Sequence, residues 1–409
     1  MNFKSFFILS LVLLTSQVFG QCTIEPWSLE KRITQSDVVI EGKVVKQEAQ
    51  WDKGQQLIYT LNTIEVYRVF KGGIKTSTIT LATLGGVVGL EKLAVEPSLT
   101  LQHNQAGVFL LRKGTARFQN AEETYVPTAS VQSFILYDLL SVKAYDWSQN
   151  YISITGDLYE TIKSYTRQEI STIKDFDPEK GHKRIKALAN PVITSFSVDT
   201  ITAGTGSLLT INGSNFGFAR GSGKVGFKDA NFGDGRYYYS PTQNSYKSWS
   251  NSKIEVYVPN RAGTGKVEVV NAGGDKGEST KDLEIEWSHT NLIYPLNGDT
   301  SFYEIDHVND NAAGGYTWQL HPNFARNTAA VASFTRSLEE WRCETGMNWN
   351  IGRNSTIDTI EQEGTNLVRF TEFNDSKLGV CYSWYSGCFY NGNKDINWFV
   401  REFDIEFDS

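Results

Sequence analysis

The chain has 409 residues, enough for two to four domains, and its 40% hydrophobic and 21% charged content is that of a globular rather than a disordered protein. A net charge of −7 provides no basic footprint and excludes nucleic acid as an expected partner. Aromatic residues reach 13%, with 19 Tyr and 10 Trp, which favours β-rich structure with some exposed aromatic surface.

The first twenty residues read as a secretory signal. Lys4 supplies the positive start, "FFILSLVLL" the short apolar core, and Val18 and Gly20 the small residues before a cut ahead of Gln21. Acylation of Cys22 is the competing reading, but it needs a small residue before the cysteine, and Gln21 is not small. No later run reaches the ~18 apolar residues of a membrane span, so an exported protein without a span is expected. Four cysteines follow: Cys22, Cys343, Cys381 and Cys388. Export permits disulfides. A local Cys381–Cys388 bridge within "CYSWYSGC" is expected, with Cys343 joined to either as the alternative, since four cysteines allow three connectivities. A zinc cluster is not expected, because no Cys-x-x-Cys pair or nearby His accompanies them.

Residues 21–115 read as strands: "DVVIEGKVVKQEAQW", "QLIYTLNTIEVYRVFKG", "TSTITLATLGG" and "AGVFLLRKG", separated by Gly-rich turns. Short strands in that order suggest a small barrel or sandwich. The run "SDVVIEGKV", then "IYT", "EV" and "VFKG", a Gly-Gly turn and "GVFLL" resembles the OB/netrin-like barrel shared with tissue inhibitors of metalloproteinases. The family's N-terminal cysteine pairs are missing, since only Cys22 is present. Residues 116–190 form a mixed segment. Leu158, Ile162, Tyr165 and Ile170 fall at roughly helical spacing, and "DFDPEKGHKRIKALANP" reads as a linker punctuated by Pro178, Gly181 and Pro191.

Residues 191–287 carry "PVITSF", "AGTGSLLTINGSNFG", "KVGF", "SWSNSKIEVYVP" and "GTGKVEVVNAGG". In that order they resemble an IPT/TIG domain, an immunoglobulin-like β-sandwich. Gly213 and Gly217 are expected at backbone turns that a β-carbon would obstruct. The two strands around the Gly-rich turn after Pro259 read as a pair. Such a domain implies carbohydrate or protein binding, or a spacer between neighbours, because a sandwich does not specify its ligand. The tyrosines of "FGDGRYYYSPTQNSY" read as an inserted loop with a sugar-stacking surface as one option.

Residues 300–409 read as a strand from Tyr316 to Leu320, a helix, then strands "MNWNIGR", "NLVRFTEF" and "EFDIEFD". Val331, Phe334, Leu338 and Trp341 give the helix one apolar face; Thr328 is placed to cap its start and Gly346 to end it. Strand, long helix, "SLEEW" and "TGMNW", strand, and a strand with "DIEF" resemble the N-terminal half of a matrixin-type metalloprotease of the metzincin group, a truncated α/β domain. The resemblance implies a following helix with His-Glu-x-x-His-x-x-Gly-x-x-His, whose imidazoles hold zinc and whose Glu activates its water. None of His103, His182, His289, His307 and His321 belongs to such a motif, so no residue here is expected to be catalytic or a zinc ligand. The expectation is a multidomain, mainly β, exported fragment of a zinc endopeptidase acting on protein or peptide. The alternative is a non-catalytic secreted or cell-surface protein that binds a glycan or protein through its IPT/TIG domain.

Single residues carry paired readings. His321, before Pro322, reads as a strand-end histidine rather than a ligand. The acids of "REFDIEFDS" read as the solvated guard of an edge strand, with a structural calcium as the alternative. Tyr382, Trp384 and Tyr385 line a cleft or simply pack a disulfide-braced loop. Asn212, Asn354 and Asn374 are glycosylation sequons, relevant only in a glycosylating host. Cys22 raises the idea of a barrel that blocks a metalloprotease zinc in cis, as the resemblance to tissue inhibitors implies.

Overall fold

The structure is a computed structural model. It describes residues 24–114, 124–139, 142–147, 149–179, 190–232, 235–240, 243–296, 299–308, 310–390, 392 and 395–409. The leader-like residues 1–20, Cys22 and most of the linker around Gly181 and His182 lie outside the described residues. The described residues are mainly β.

The first module begins with α1 (Leu29–Gln35), capped by the Ser28 hydroxyl accepting from Lys31 N. Five strands then close into a ring: β1 (Val38–Trp51), β2 (Ile58–Lys71), β3 (Thr78–Leu84), β6 (Ala106–Lys113) and β7 (Thr124–Pro127), after a hairpin of β4 (Gly86–Val88) and β5 (Glu91–Glu96). The order is β1-β2-β3-β7-β6, with β6 pairing back onto β1. Three register irregularities in β1, between Val39 and Lys46, bend it enough to be shared by both neighbours. Val38, Ile40, Val44, Ile64, Val66, Leu81, Phe109 and Leu111 fill the interior. The ring needs β7, so the barrel runs past residue 115. Further strands at Phe134–Asp138, Lys143–Tyr145 and Asn150–Tyr151, and α2 (Tyr159–Thr166), also belong to this module. Leu158 and Ile162 are fully buried against Ile33, Phe70 and Leu110, as the helical spacing predicts, whereas Tyr165 is exposed.

Residues 192–288 form a sandwich. One sheet orders Val192–Phe196, Leu208–Ser214, Lys253–Tyr257 and Tyr246–Trp249; the other orders Tyr237–Tyr239, Lys224–Asp229, Ala262–Val270 and Lys276–Glu278. Leu209, Ile211, Val225, Phe227, Ile254, Val256, Val267 and Val269 interdigitate between them. The strands on either side of the Gly-rich turn therefore sit in opposite sheets and do not pair with each other. Gly213 is required for close approach, because a Cβ there would lie 1.9 Å from the carbonyl oxygen of Val192. Gly217 holds φ +95°, a left-handed conformation open to glycine.

The last module is an α/β sheet. Thr317–Leu320, Asn366–Thr371 and Asp395–Asp408 run parallel, with Asn350–Ile351 beyond the first of them. After α3 (Pro322–Ala325), α4 (Thr328–Thr345) covers one face, burying Phe334 and Leu338 against Trp318, Phe324 and Val368. Its N-cap is Asn327, whose Oδ1 accepts from Ala330 N; Thr328 is the first helical residue instead of the cap. Gly346 ends it at φ +72°. Trp341 lies off the buried face and is 61% exposed.

Two features of this sheet depart from the sequence reading. "GVCYSWYSGCFY" is a strand, Gly379–Tyr390, antiparallel to Asp395–Asp408 and not a loop. The strand that ends the sequence is interior, flanked by Asn366–Thr371 and Gly379–Tyr390, so its acids guard no edge. The other side of Gly379–Tyr390 is taken by β5 of the first module, from Cys381 opposite Glu96 to Ser386 opposite Glu91. Leu93 and Val95 are buried there with Ile58, Val380, Tyr382 and Trp384. First and last modules thus share one sheet, and the sandwich is threaded between them in sequence.

Candidate functional site

The strand Asp395–Asp408 presents Phe403, Ile405 and Phe407 to the α4 side and Glu402, Asp404 and Glu406 to the other. All three acids are buried, with Asp404 at 0% exposure. Their partners differ. Glu406 is neutralised: Arg369 Nε donates to its Oε1 at 2.8 Å and Tyr382 Oη to its Oε2 at 2.9 Å. Glu402 accepts from the backbone N–H of Gly364 at 2.8 Å and of Glu363 at 3.3 Å. Asp404 Oδ1 accepts from Leu367 N at 2.8 Å, while its buried Oδ2 has no partner among the described residues.

Glu363, on the loop before Asn366, completes the group. One carboxylate oxygen each from Glu363, Glu402 and Asp404 lies within 4.8 Å of the others. Burial pushes the Asp404 carboxyl up to about 9, with the neighbouring acids adding to it. Burial and Glu402 push Glu363 up to about 8, and burial raises Glu402 as well. Three acids held this close are either protonated in part or share a cation. The donor set is all oxygen, which suits a hard ion such as calcium better than zinc, whose protein sites are built mainly on nitrogen and sulfur with carboxylates as supplements. The orphaned Asp404 Oδ2 fits the same ion.

Zinc does not fit the residues present. His103, His289, His307 and His321 sit on separate elements, and His182 lies outside the described residues. His289 and His307 come within electrostatic range of each other, but no His-containing cluster of three potential ligands forms among the described residues. His321 caps α3, its Nδ1 accepting from Asn323 N at 3.3 Å, with Asp358 3.6 Å from its Nε2. No catalytic step through zinc follows from this chain.

The expected local disulfide is not formed. Cys381 and Cys388 lie on one strand, seven residues apart, roughly 23 Å at strand rise, far beyond the reach of an S–S bond. Cys343 is a free, exposed thiol on α4. Burial pushes the Cys381 thiol up to about 11. The Tyr237–Tyr239 run is a strand with Tyr238 buried and the phenols of Tyr237 and Tyr239 bonded to Glu278 and Glu268. It offers no open stacking platform.

Comparison with known proteins resolves one module. The family described as IPT/TIG domain matches residues 191–285, the two-sheet sandwich. Residues 191–285 are an IPT/TIG domain. The IPT/TIG domain touches the first module through a Lys276–Asp138 ion pair and through Arg236 Nη2, which donates to the Tyr145 carbonyl at 3.4 Å. No curated protein matches the chain. Among solved structures, one from Bacteroides vulgatus, described as a "Putative bacterial DNA binding protein", is 12% identical, covering 50% of this chain and 72% of that one, at a TM-score of 0.18. A likeness at that level carries no argument about fold or function.

Among the described residues, no helix is long and apolar enough to cross a membrane. Glu363 carries no signal in the sequence; for Glu402 and Asp404 the solvated-edge reading fails, because both are buried, and the structural-calcium alternative is the one that remains. The available signal was the fourteen-residue length of the final strand together with apolar and acidic residues alternating along it.

Proposed function

We propose that this is an exported, modular binding protein whose IPT/TIG domain engages an extracellular glycan or protein. The observation that carries the reading is the IPT/TIG match itself, at residues 191–285. The leader-like Met1–Gly20 supports export. In this reading Glu363, Glu402 and Asp404 hold a calcium ion that ties the 363–366 loop to the final strand, a structural role. The test is the full chain on glycan and extracellular-protein arrays. Saturable binding to one class supports the reading. Absence of binding to every class overturns it, and cleavage of a peptide library would favour the second reading below.

A second reading, a metalloprotease-like last module, rests on the sequence resemblance alone, carried by "SLEEW", "TGMNW" and "DIEF". Under it the substrate is a protein or peptide, and zinc comes from ligands that these residues do not supply. Zinc-dependent peptidase activity in the natively secreted protein, with its termini mapped by mass spectrometry, decides between the two.

A further inference from the structure

A cavity of about 260 Å³ lies where one end of the IPT/TIG sandwich meets the hairpin Asn291–Leu296 and Asp299–His307. Pockets favour such junctions between modules, and sandwich loops cluster at their ends. Three connections of the domain contribute: the turn after Ala203, the segment before Tyr246, and the chain leaving the strand at Tyr257.

The walls are of two kinds. Tyr257, 40% exposed, and the half-buried Phe302 supply aromatic surface from the two modules. Asn244, Ser245 and Asn291 supply amide and hydroxyl groups, and no Asp, Glu, Lys, Arg or His is among the lining residues. Asn291 Nδ2 donates to the Gly204 carbonyl at 3.0 Å, which fixes the orientation of its amide. Its Oδ1 is then left buried without a partner among the described residues. A buried acceptor without a donor is unfavourable, and a ligand hydroxyl would satisfy it. Gly204 permits the arrangement: at φ +72°, with a would-be Cβ 2.2 Å from the His289 carbonyl oxygen, it lets the chain entering the hairpin lie against the sandwich end.

We infer that this cavity binds one neutral sugar residue, such as a glycan terminus. The lining selects for that chemistry. Aromatic rings accept the C–H face of a pyranose, amides pair with its hydroxyls, and the lack of charge gives no advantage to phosphate, carboxylate or amine. The volume falls below the ~300–1,000 Å³ of drug-sized pockets, which suits a single ring. The inference rests on the binding reading above and names its site and ligand class.

The test uses the full chain and a panel of probes: glucose, galactose, mannose, N-acetylglucosamine and xylose, with glucuronate and glucosamine as charged controls. Binding is read by saturation-transfer NMR and calorimetry. At least one neutral sugar should saturate, and the charged controls should bind more weakly. Asn291→Leu and Tyr257→Ala should each weaken binding by more than about tenfold, while Tyr257→Phe keeps it and all three keep the wild-type circular dichroism. Failure of every neutral sugar to saturate overturns the inference, as does binding that survives both Asn291→Leu and Tyr257→Ala. Array binding that persists unchanged in those two variants refutes this site while leaving the binding reading standing; loss of all array binding in the wild type removes both.

Discussion

Without divalent cations, the last sheet should loosen as pH rises from 5 to 8. Asp404 is fully buried, its carboxyl is pushed up to about 9, and Glu363 is pushed up to about 8. In the unfolded chain both lose their protons near pH 4. Between those limits the folded state holds protons that the unfolded state does not. Stability from this source is therefore fully present below about pH 4 and falls as pH rises toward 8–9, by up to about 1.4 kcal/mol per pH unit for each retained proton. Counting Asp404 alone, and allowing for relaxation, the loss from pH 5 to 8 is about 2–4 kcal/mol. Glu363 is exposed and contributes less. The assay is hydrogen exchange, read by mass spectrometry on the peptide spanning 395–408 in the presence of a chelator. Asp404→Asn, which mimics the protonated acid, should flatten the slope. Saturating calcium should reverse it, because the ion competes with protons for the same oxygens. A slope in chelator that is flat or rising, or one unchanged by Asp404→Asn, would refute the reasoning.

Three further outcomes are expected. Leu93→Ala, in β5 of the first module, should destabilise by about 2–4 kcal/mol and raise exchange in Gly379–Tyr390 of the last, because Leu93 is buried against Trp384. Gly213→Ala should lower the melting temperature of the IPT/TIG domain by several degrees, since its Cβ would overlap the Val192 carbonyl; an unchanged melting profile would mean the strand can move aside freely. Native alkylation with iodoacetamide should label the exposed Cys343 and Cys388 but spare Cys381, whose thiol is pushed up to about 11; a Cys381–Cys388 crosslinked peptide would contradict the strand.

Much of the local structure was legible in the residues. The strands of the first module, the IPT/TIG sandwich and the α4 face at Phe334 and Leu338 follow from periodicity, and Gly346 from its place after that face. What escaped is what depends on distant partners. Period-two alternation says that Glu402, Asp404 and Glu406 share a face, but not whether water or a loop covers that face; here the loop at 363–365 does. In "CYSWYSGC" a register irregularity between Trp384 and Tyr385 shifts the alternation, and the two cysteines drew attention to a loop where β-forming aromatics continue a strand. The pairing of β5 with Gly379–Tyr390 leaves no mark in either segment alone, since any apolar alternating stretch can pair with any other. The sugar-sized cavity is invisible for the same reason, its lining being gathered from residues 204 to 302.

The shared sheet also sets a temporal problem for the cell. Glu91 finds its neighbour only at Ser386. A ribosome therefore completes the barrel, and then the whole IPT/TIG domain, long before the partner of β5 exists. Throughout that interval an apolar ladder with Leu93 and Val95 stands open, able to join a neighbouring chain. A protein wired this way gains from closing its first module and its last together, so its maturation should be slow, concentration-sensitive and helped by whatever shields a single short hairpin.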